Sequence, residues 1–270
     1  MNRDRAVSEV VGFVLVFSLI TMTVGVVYVA GFEGLTGARD AERVNNAERA
    51  FDVLAHNVED IGRDGAPGRS TEVKLADAQL SFGEETTVSW CWDEDGSGNA
   101  SNDCDTANNS QTLRPIVFEA DGTRIVYENG AVIRSQDGGA IVRRAPEMVF
   151  RGPDSAPGPG ETVVLPTIVM NQQETSGVGG ESTVLVRTQL QSGQGGRSTL
   201  EPRPTADGAI QYRINTSADR AAAWERYLDD QISWQDDACR VTDDDEGVVT
   251  CWFDADRTTF PVVRIDATFA

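Results

Sequence analysis

The run Ile116-Val117-Phe118-Glu119-Ala120-Asp121-Gly122-Thr123-Arg124-Ile125-Val126-Tyr127-Glu128-Asn129-Gly130-Ala131-Val132-Ile133-Arg134-Ser135 decides the fold of this chain. Short apolar-rich runs are interrupted at Asp121-Gly122 and again at Asn129-Gly130. Two-residue hairpin loops need positive φ at both central positions, and Asp-Gly and Asn-Gly tolerate it best. After Asp137-Gly138-Gly139 the apolar pattern resumes over 140–144. The spacing predicts four strands, 116–120, 123–128, 131–135 and 140–144, joined as an antiparallel meander.

Working outward, the runs 72–75, 79–82 and 86–92 also read as short strands, separated by Asp-Ala and Gly-Glu-Glu turns. Downstream, 148–150, 162–170 and 182–191 are expected to form a second meander, with a Pro/Gly-rich loop at 153–160. Residues 193–208 read as a long surface connection before a strand at 211–215. Ser217 is placed to cap a helix running to about Ile232, with Ala221, Trp224, Tyr227, Leu228 and Ile232 on one face. An acidic hairpin from Cys239 to Cys251 and a closing strand over 258–269 complete the chain. Neither a second autonomous core nor a solenoid-type repeat is visible.

The other end is different in kind. Residues 10–32 are twenty-three residues without a charge. As a helix they cover about 34 Å, enough for a hydrocarbon core of about 30 Å. Arg3 and Arg5 precede the span, which favours a cytoplasmic N-terminus and an external C-terminal domain. A cleaved secretory signal is the rival reading, but its apolar region normally covers about 7–15 residues, and no clean Ala-x-Ala site follows this one. From Gly37 the helical pattern turns amphipathic, with Ala41, Val44, Ala47, Phe51, Leu54, Ala55, Val58 and Ile61 at three- and four-residue steps. The helix is expected to end at Gly62 and Gly65-Ala66-Pro67-Gly68. An ordinary stalk helix beneath an ectodomain has the same pattern.

The stretch Arg5-Ala6-Val7-Ser8-Glu9-Val10-Val11-Gly12, leading into that apolar helix, resembles the start of archaeal type IV pilin-like proteins, those of haloarchaea especially. The resemblance covers about thirty residues of the chain. It implies a leader of residues 1–6, removed by a prepilin peptidase between Ala6 and Val7. Glu9 departs from the pattern, because many such pilins carry proline there and bacterial pilins place their glutamate two positions later. The hairpin 126–134 also resembles those of minor pilins and pseudopilins, as any meander would. The resemblance implies lateral packing of helices from several subunits. Gly12 and Gly25 would allow close approach, and Glu9 would pair with a neighbour's freed Val7 amine.

The chain carries 43 acidic and 23 basic residues, for a net charge of −20, and Lys74 is its one lysine. A polyanion of this kind repels nucleic acid and anionic membrane surfaces. Acid-rich, lysine-poor chains resemble those of extreme halophiles, where concentrated salt shortens the screening length to about 3 Å at 1 M. Four cysteines allow three disulfide connectivities. Proximity favours Cys91 with Cys104 and Cys239 with Cys251, as expected of an extracellular domain, while four buried free thiols is the other reading. Asn99, Asn108 and Asn215 each begin an Asn-x-Ser/Thr sequon, a candidate glycosylation site.

Chemistry-bearing motifs are sparse. The single histidine, His56, lies on the border of the stalk helix and reads as a surface residue. No P-loop, dinucleotide fingerprint or zincin helix is present in the sequence. Asp93, Asp95, Ser97, Gly98, Asn99 and Ser101 follow the first nine positions of a calcium loop, but the twelfth is Cys104, and we read a solvated acidic loop with no metal. Trp90 and Trp92 beside Asp93 suit packing around a disulfide better than a sugar-stacking platform.

The expected protein is therefore α+β and pilin-like. A long N-terminal transmembrane and amphipathic helix precedes a mainly antiparallel β domain with one C-terminal helix. Its parts would be the leader 1–6, a membrane span 7–33, a stalk 34–62, and an extracellular β-rich domain 63–270 with two disulfide loops. Expected partners are the lipid bilayer, other pilin-like subunits and a prepilin peptidase. Neither a nucleic acid, a cofactor nor a catalytic activity is expected. The alternative is a membrane-anchored module that never polymerises and binds a glycan or calcium outside the cell.

Overall fold

A computed structural model describes residues 3–92, 109–136, 138–152, 160–173, 175–192, 196–203 and 210–270. One helix, α1, is assigned to Arg3–Glu59. It closes in a wide π-type turn, Asp60–Asp64, that stops at Gly65 (φ 80°), whose N–H bonds back to the Asp60 carbonyl. The first strands are β1 (Gly68–Lys74), β2 (Ala78–Phe82), β3 (Thr86–Trp92), β4 (Ser110–Leu113), β5 (Ile116–Ala120) and β6 (Thr123–Glu128). Next come β7 (Ala131–Gln136), β8 (Gly139–Arg144), β9 (Val149–Arg151), β10 (Thr162–Val164), β11 (Thr167–Gln172) and β12 (Gly177–Gly180). β13 (Thr183–Leu190), β14 (Arg197–Arg203) and β15 (Ile210–Asn215) lead to helix α2 (Ala218–Gln231), followed by β16 (Cys239–Asp243), β17 (Val248–Phe253) and β18 (Arg257–Phe269). The chain divides into two compact units, Met1–Asn45 and Asn46–Ala270.

In the first unit every residue from 11 to 32 is exposed. Three threonine hydroxyls along this helix are satisfied by the helix itself. Thr21 donates to the Phe17 carbonyl and Thr23 to that of Ile20, both at 2.8 Å. Thr36 does the same to Phe32 at 3.0 Å. Ala41, expected on the apolar face, is exposed.

In the second unit the end of α1 is part of the core. Ala47, Phe51, Leu54, Ala55 and Val58, with Ile61 just beyond, are buried at the predicted spacing. The turn after the helix is held from two strands. Gly62 packs against Val263 of β18, and the Arg197 guanidinium of β14 donates to the Ile61 carbonyl.

Among the described residues the strands form three sheets. The seven-stranded one runs β1-β13-β18-β10-β9, with β11 and β14 also paired along β18. The six-stranded sheet runs β12-β2-β5-β6-β7-β8 and the five-stranded one β16-β17-β15-β3-β4. The predicted meander is β5 to β8, each strand antiparallel to the next. Its turns have positive φ at Asp121 and Gly122 (46° and 74°) and at Asn129 and Gly130 (47° and 84°), as type I′ loops require. Asp137 of the third turn lies outside the described residues.

The expected second meander is not formed. Residues 162–170 divide at Pro166, which has no N–H to give a ladder, into β10 and β11. Both then pair parallel with β18, nearly a hundred residues away, while β13 pairs β1 and β18. Alternation fixes which side chains face the core but not which strand is the neighbour. One more correction concerns a loop. The connection 193–208 contains β14, which pairs with β18. Ser217 sits at the N-cap of α2, yet its hydroxyl bonds the Asp219 carboxylate and not a backbone N–H.

The Cys239–Cys251 disulfide joins directly opposed residues of β16 and β17. Cys91, in β3, is also disulfide-bonded; Cys104 lies outside the described residues. The tip of the acidic hairpin seats on the start of α2. A Cβ at Gly247 (φ 71°) would stand 2.5 Å from the Ser217 carbonyl carbon, so glycine is required there. Trp90 is fully buried and stacks on Phe260 with centroids 4.6 Å apart, which rules it out as a sugar platform; the Trp92 side chain lies outside the described residues.

Helix α2 is fixed to the meander by a buried charge. The Glu128 carboxylate, whose side chain is 0% exposed, accepts from the Thr216 hydroxyl at 2.9 Å, the Arg220 Nε at 3.2 Å and the Trp224 Nε1 at 2.9 Å. Replacing Glu128 with Ala removes the nearer, buried counterion of the Arg220 guanidinium and leaves it Asp219 alone, at 3.8 Å. Breaking a buried pair this way typically costs about 3–5 kcal/mol. Chemical denaturation of Glu128→Ala should show a loss of that order, and a loss below about 1 kcal/mol, the range of an exposed pair, would contradict the assigned role.

Candidate functional site

In the second unit, one cleft gathers chemistry-bearing side chains from several elements. It offers about 220 Å³ and is bounded by the end of α1, the β6–β7 turn, the segment after β8, the β10–β11 junction and β18. Each element arrives for a local reason. α1 ends here because its apolar face is spent at Ile61 and Gly62. The Asn129-Gly130 turn is pinned when the Asn129 Oδ1 accepts from the Ile168 N–H at 2.9 Å. A Cβ on Gly130 would come within 3.3 Å of Pro146, so turn and following segment lie close. The Pro146 carbonyl accepts from the Tyr227 hydroxyl of α2 at 3.4 Å.

The walls are apolar, from Val58, Pro166, Ile168, Pro261 and Val263, and four charged side chains line the site. Arg144 approaches the Glu59 carboxylate at 3.0 Å, and Arg63 lies 3.2 Å from Glu147 and 3.7 Å from Glu59. Glu147 is held above the usual carboxylate range by a hydrogen bond with the Glu59 carboxyl, by burial and by the Glu59 charge, against the pull of both arginines. Tyr127, buried beside them, is pushed up by desolvation.

Asn129, only 3% exposed, also lines the cleft. Its Nδ2 donor and the Tyr212 hydroxyl lie close enough for Asn129 to offset part of the burial that raises Tyr212. Neither atom completes a hydrogen bond.

The residues singled out from the sequence are distributed differently. Gly12 and Gly25 lie on the exposed apolar helix, with nothing within 4 Å of the position a Cβ would take. Ala6, Val7 and Glu9 are helical. His56 is exposed on α1, 3.9 Å from both Glu59 and Asp60. Asn215 is half-buried at the end of β15, and the Ser217 hydroxyl of its sequon is engaged by the Asp219 carboxylate. Asn99, Asn108 and the calcium-like loop from Asp93 to Ser101 lie outside the described residues. Among the described residues no group of three His, Cys, Asp or Glu is placed to hold a metal ion. The sequence reading missed the cleft, whose charged residues belong to two segments some 85 residues apart.

Over residues 5–268 the chain matches, and so belongs to, DUF7289, a family of unknown function. No curated protein and no solved structure matches it.

The raised Glu147 pKa gives a pH dependence with a definite sign. A carboxyl that binds its proton more tightly when folded adds stability below its unfolded pKa, and this is lost as pH rises through the folded value. Relative to Glu147→Gln, the wild-type chain should therefore lose melting temperature as pH rises from the ordinary glutamate value of 4.5. Thermal melts of both proteins in one buffer series give the difference curve; a flat or rising difference would remove the shared-proton account.

Proposed function

We propose that this DUF7289 protein is a membrane-anchored cell-surface subunit of the type IV pilin-like kind. Its N-terminus would be cytoplasmic and its β domain extracellular. The observation that carries the reading is the exposed, charge-free helix over 11–32. Its Phe13, Leu15, Phe17, Leu19, Ile20 and Met22 side chains are more than half exposed. Soluble monomers rarely expose contiguous apolar patches beyond about 300–600 Å². Leu, Ile, Phe and Val each favour the bilayer centre by about 0.3–0.6 kcal/mol. The threonine hydroxyls that bond back to the helix remove the main polar cost of that transfer.

Assembly is the second half of the proposal. After removal of residues 1–6, helices of neighbouring subunits would pack laterally at Gly12 and Gly25, with Glu9 pairing a neighbour's Val7 amine. The open space around both glycines supports this, as does the pilin-like stretch from Arg5 to Gly12. Its role would be structural or adhesive and not catalytic.

Intact-mass and N-terminal peptide analysis of protein from its native membrane tests the reading. A chain beginning at Val7 is expected. A start at Met1 would leave a plain anchor without pilin processing, and a start near Phe32 would make the helix a secretion signal.

A further inference from the structure

We propose that the cleft between the end of α1 and the β6–β7 turn binds one neutral sugar ring, held by Glu59, Arg63, Arg144 and Glu147. The argument begins with size. At about 220 Å³ the cleft falls below the range of about 300–1,000 Å³ typical of drug-sized ligands, and suits a single six-membered ring.

Charge selects the class. The charged groups lining the cleft are two carboxylates and two guanidiniums, interleaved at 3.0–3.7 Å. An anion would meet Glu59 and Glu147, and a cation would meet Arg63 and Arg144. A hydroxyl donates and accepts at once, so a ligand bearing several can satisfy both kinds of group without bringing charge of its own. A purely apolar ligand would strip water from the four charges and return nothing.

The walls complete the match. The pyrrolidine and aliphatic surfaces of Pro166, Pro261, Ile168 and Val263 suit the C–H faces of a pyranose. Asn129 has its oxygen committed to Ile168 and its buried Nδ2 close to the Tyr212 hydroxyl, so it fixes the turn that forms one wall. The cleft lies wholly within the unit Asn46–Ala270, so the inference is independent of how the N-terminus is processed.

The test uses the full chain in lipid nanodiscs, prepared without sugar-based detergents. The probes are methyl α-glucoside, methyl α-mannoside, methyl β-galactoside and N-acetylglucosamine, each followed by thermal shift and titration calorimetry, with glucuronate and glucosamine as charged counterparts. At least one neutral sugar should give a saturable rise in melting temperature. Arg144→Ala and Glu147→Gln should each weaken its binding about tenfold or more, as loss of a charge-assisted hydrogen bond does. Should Arg144→Ala fail to fold, Glu147→Gln alone decides the point. Three results would overturn the proposal: no saturable response to any neutral probe, binding unchanged in the folded variants, or a charged counterpart bound more tightly than the neutral sugars.

Discussion

A carboxylate taken fully out of water must be met by donors, and in this protein that requirement falls on Glu128. Its partners Thr216, Arg220 and Trp224 are spaced by four residues, so one face of α2 and a residue two positions before it supply them all. Glu128 also precedes the Asn129-Gly130 turn. Holding the carboxylate therefore holds the turn, and the turn in turn engages β11 through Ile168 and lies against Pro146. Tyr227, on the same helix, reaches the Pro146 carbonyl. Through these contacts one desolvated charge relates α2, the meander and two walls of the cleft. An apolar residue at 128 would pack there, but it would not dictate which turn of α2 faces the hairpin.

What the sequence made legible was whatever local chemistry determines. Asn129-Gly130 names its own turn, because few other pairs tolerate positive φ twice in succession. Phe51, Leu54, Ala55, Val58 and Ile61 name a helix face by spacing alone. Cys239 and Cys251 were close enough in the chain to be read as one hairpin. Strand neighbours were another matter. β18 pairs with β10, β11, β13 and β14, and nothing in its residues or theirs encodes that choice locally. Pro166 was the available sign that 162–170 was two strands. The cleft was illegible for the same reason: Glu59 and Arg144 are ordinary surface-type residues until long-range packing brings them within 3.0 Å.

The acidic balance of the chain is spread over its surface, but its arginines are placed with care. Glu48 is held by both Arg134 and Arg143, Asp60 by Arg69, and Arg124 lies between Glu119 and Asp219. The more exposed of these, such as Arg124 with Glu119, contribute about 0–1 kcal/mol each, so they are not what stabilises the fold. They lower the local repulsion that a net charge of −20 creates in dilute salt. Arginine suits the task better than lysine, because its planar fork can engage two carboxylate oxygens at once or bridge two acids.

Against that background the cleft stands out for being neutral. Long-range attraction from so acidic a surface would concentrate cations and exclude anions before either reached a particular site. A site that carried net negative charge would only repeat the selection the whole surface makes already. Two guanidiniums beside Glu59 and Glu147 cancel the local field while leaving donors and acceptors in place. Recognition in this cleft then depends on hydrogen-bond geometry and not on ionic strength. This is the form of specificity that concentrated salt leaves intact.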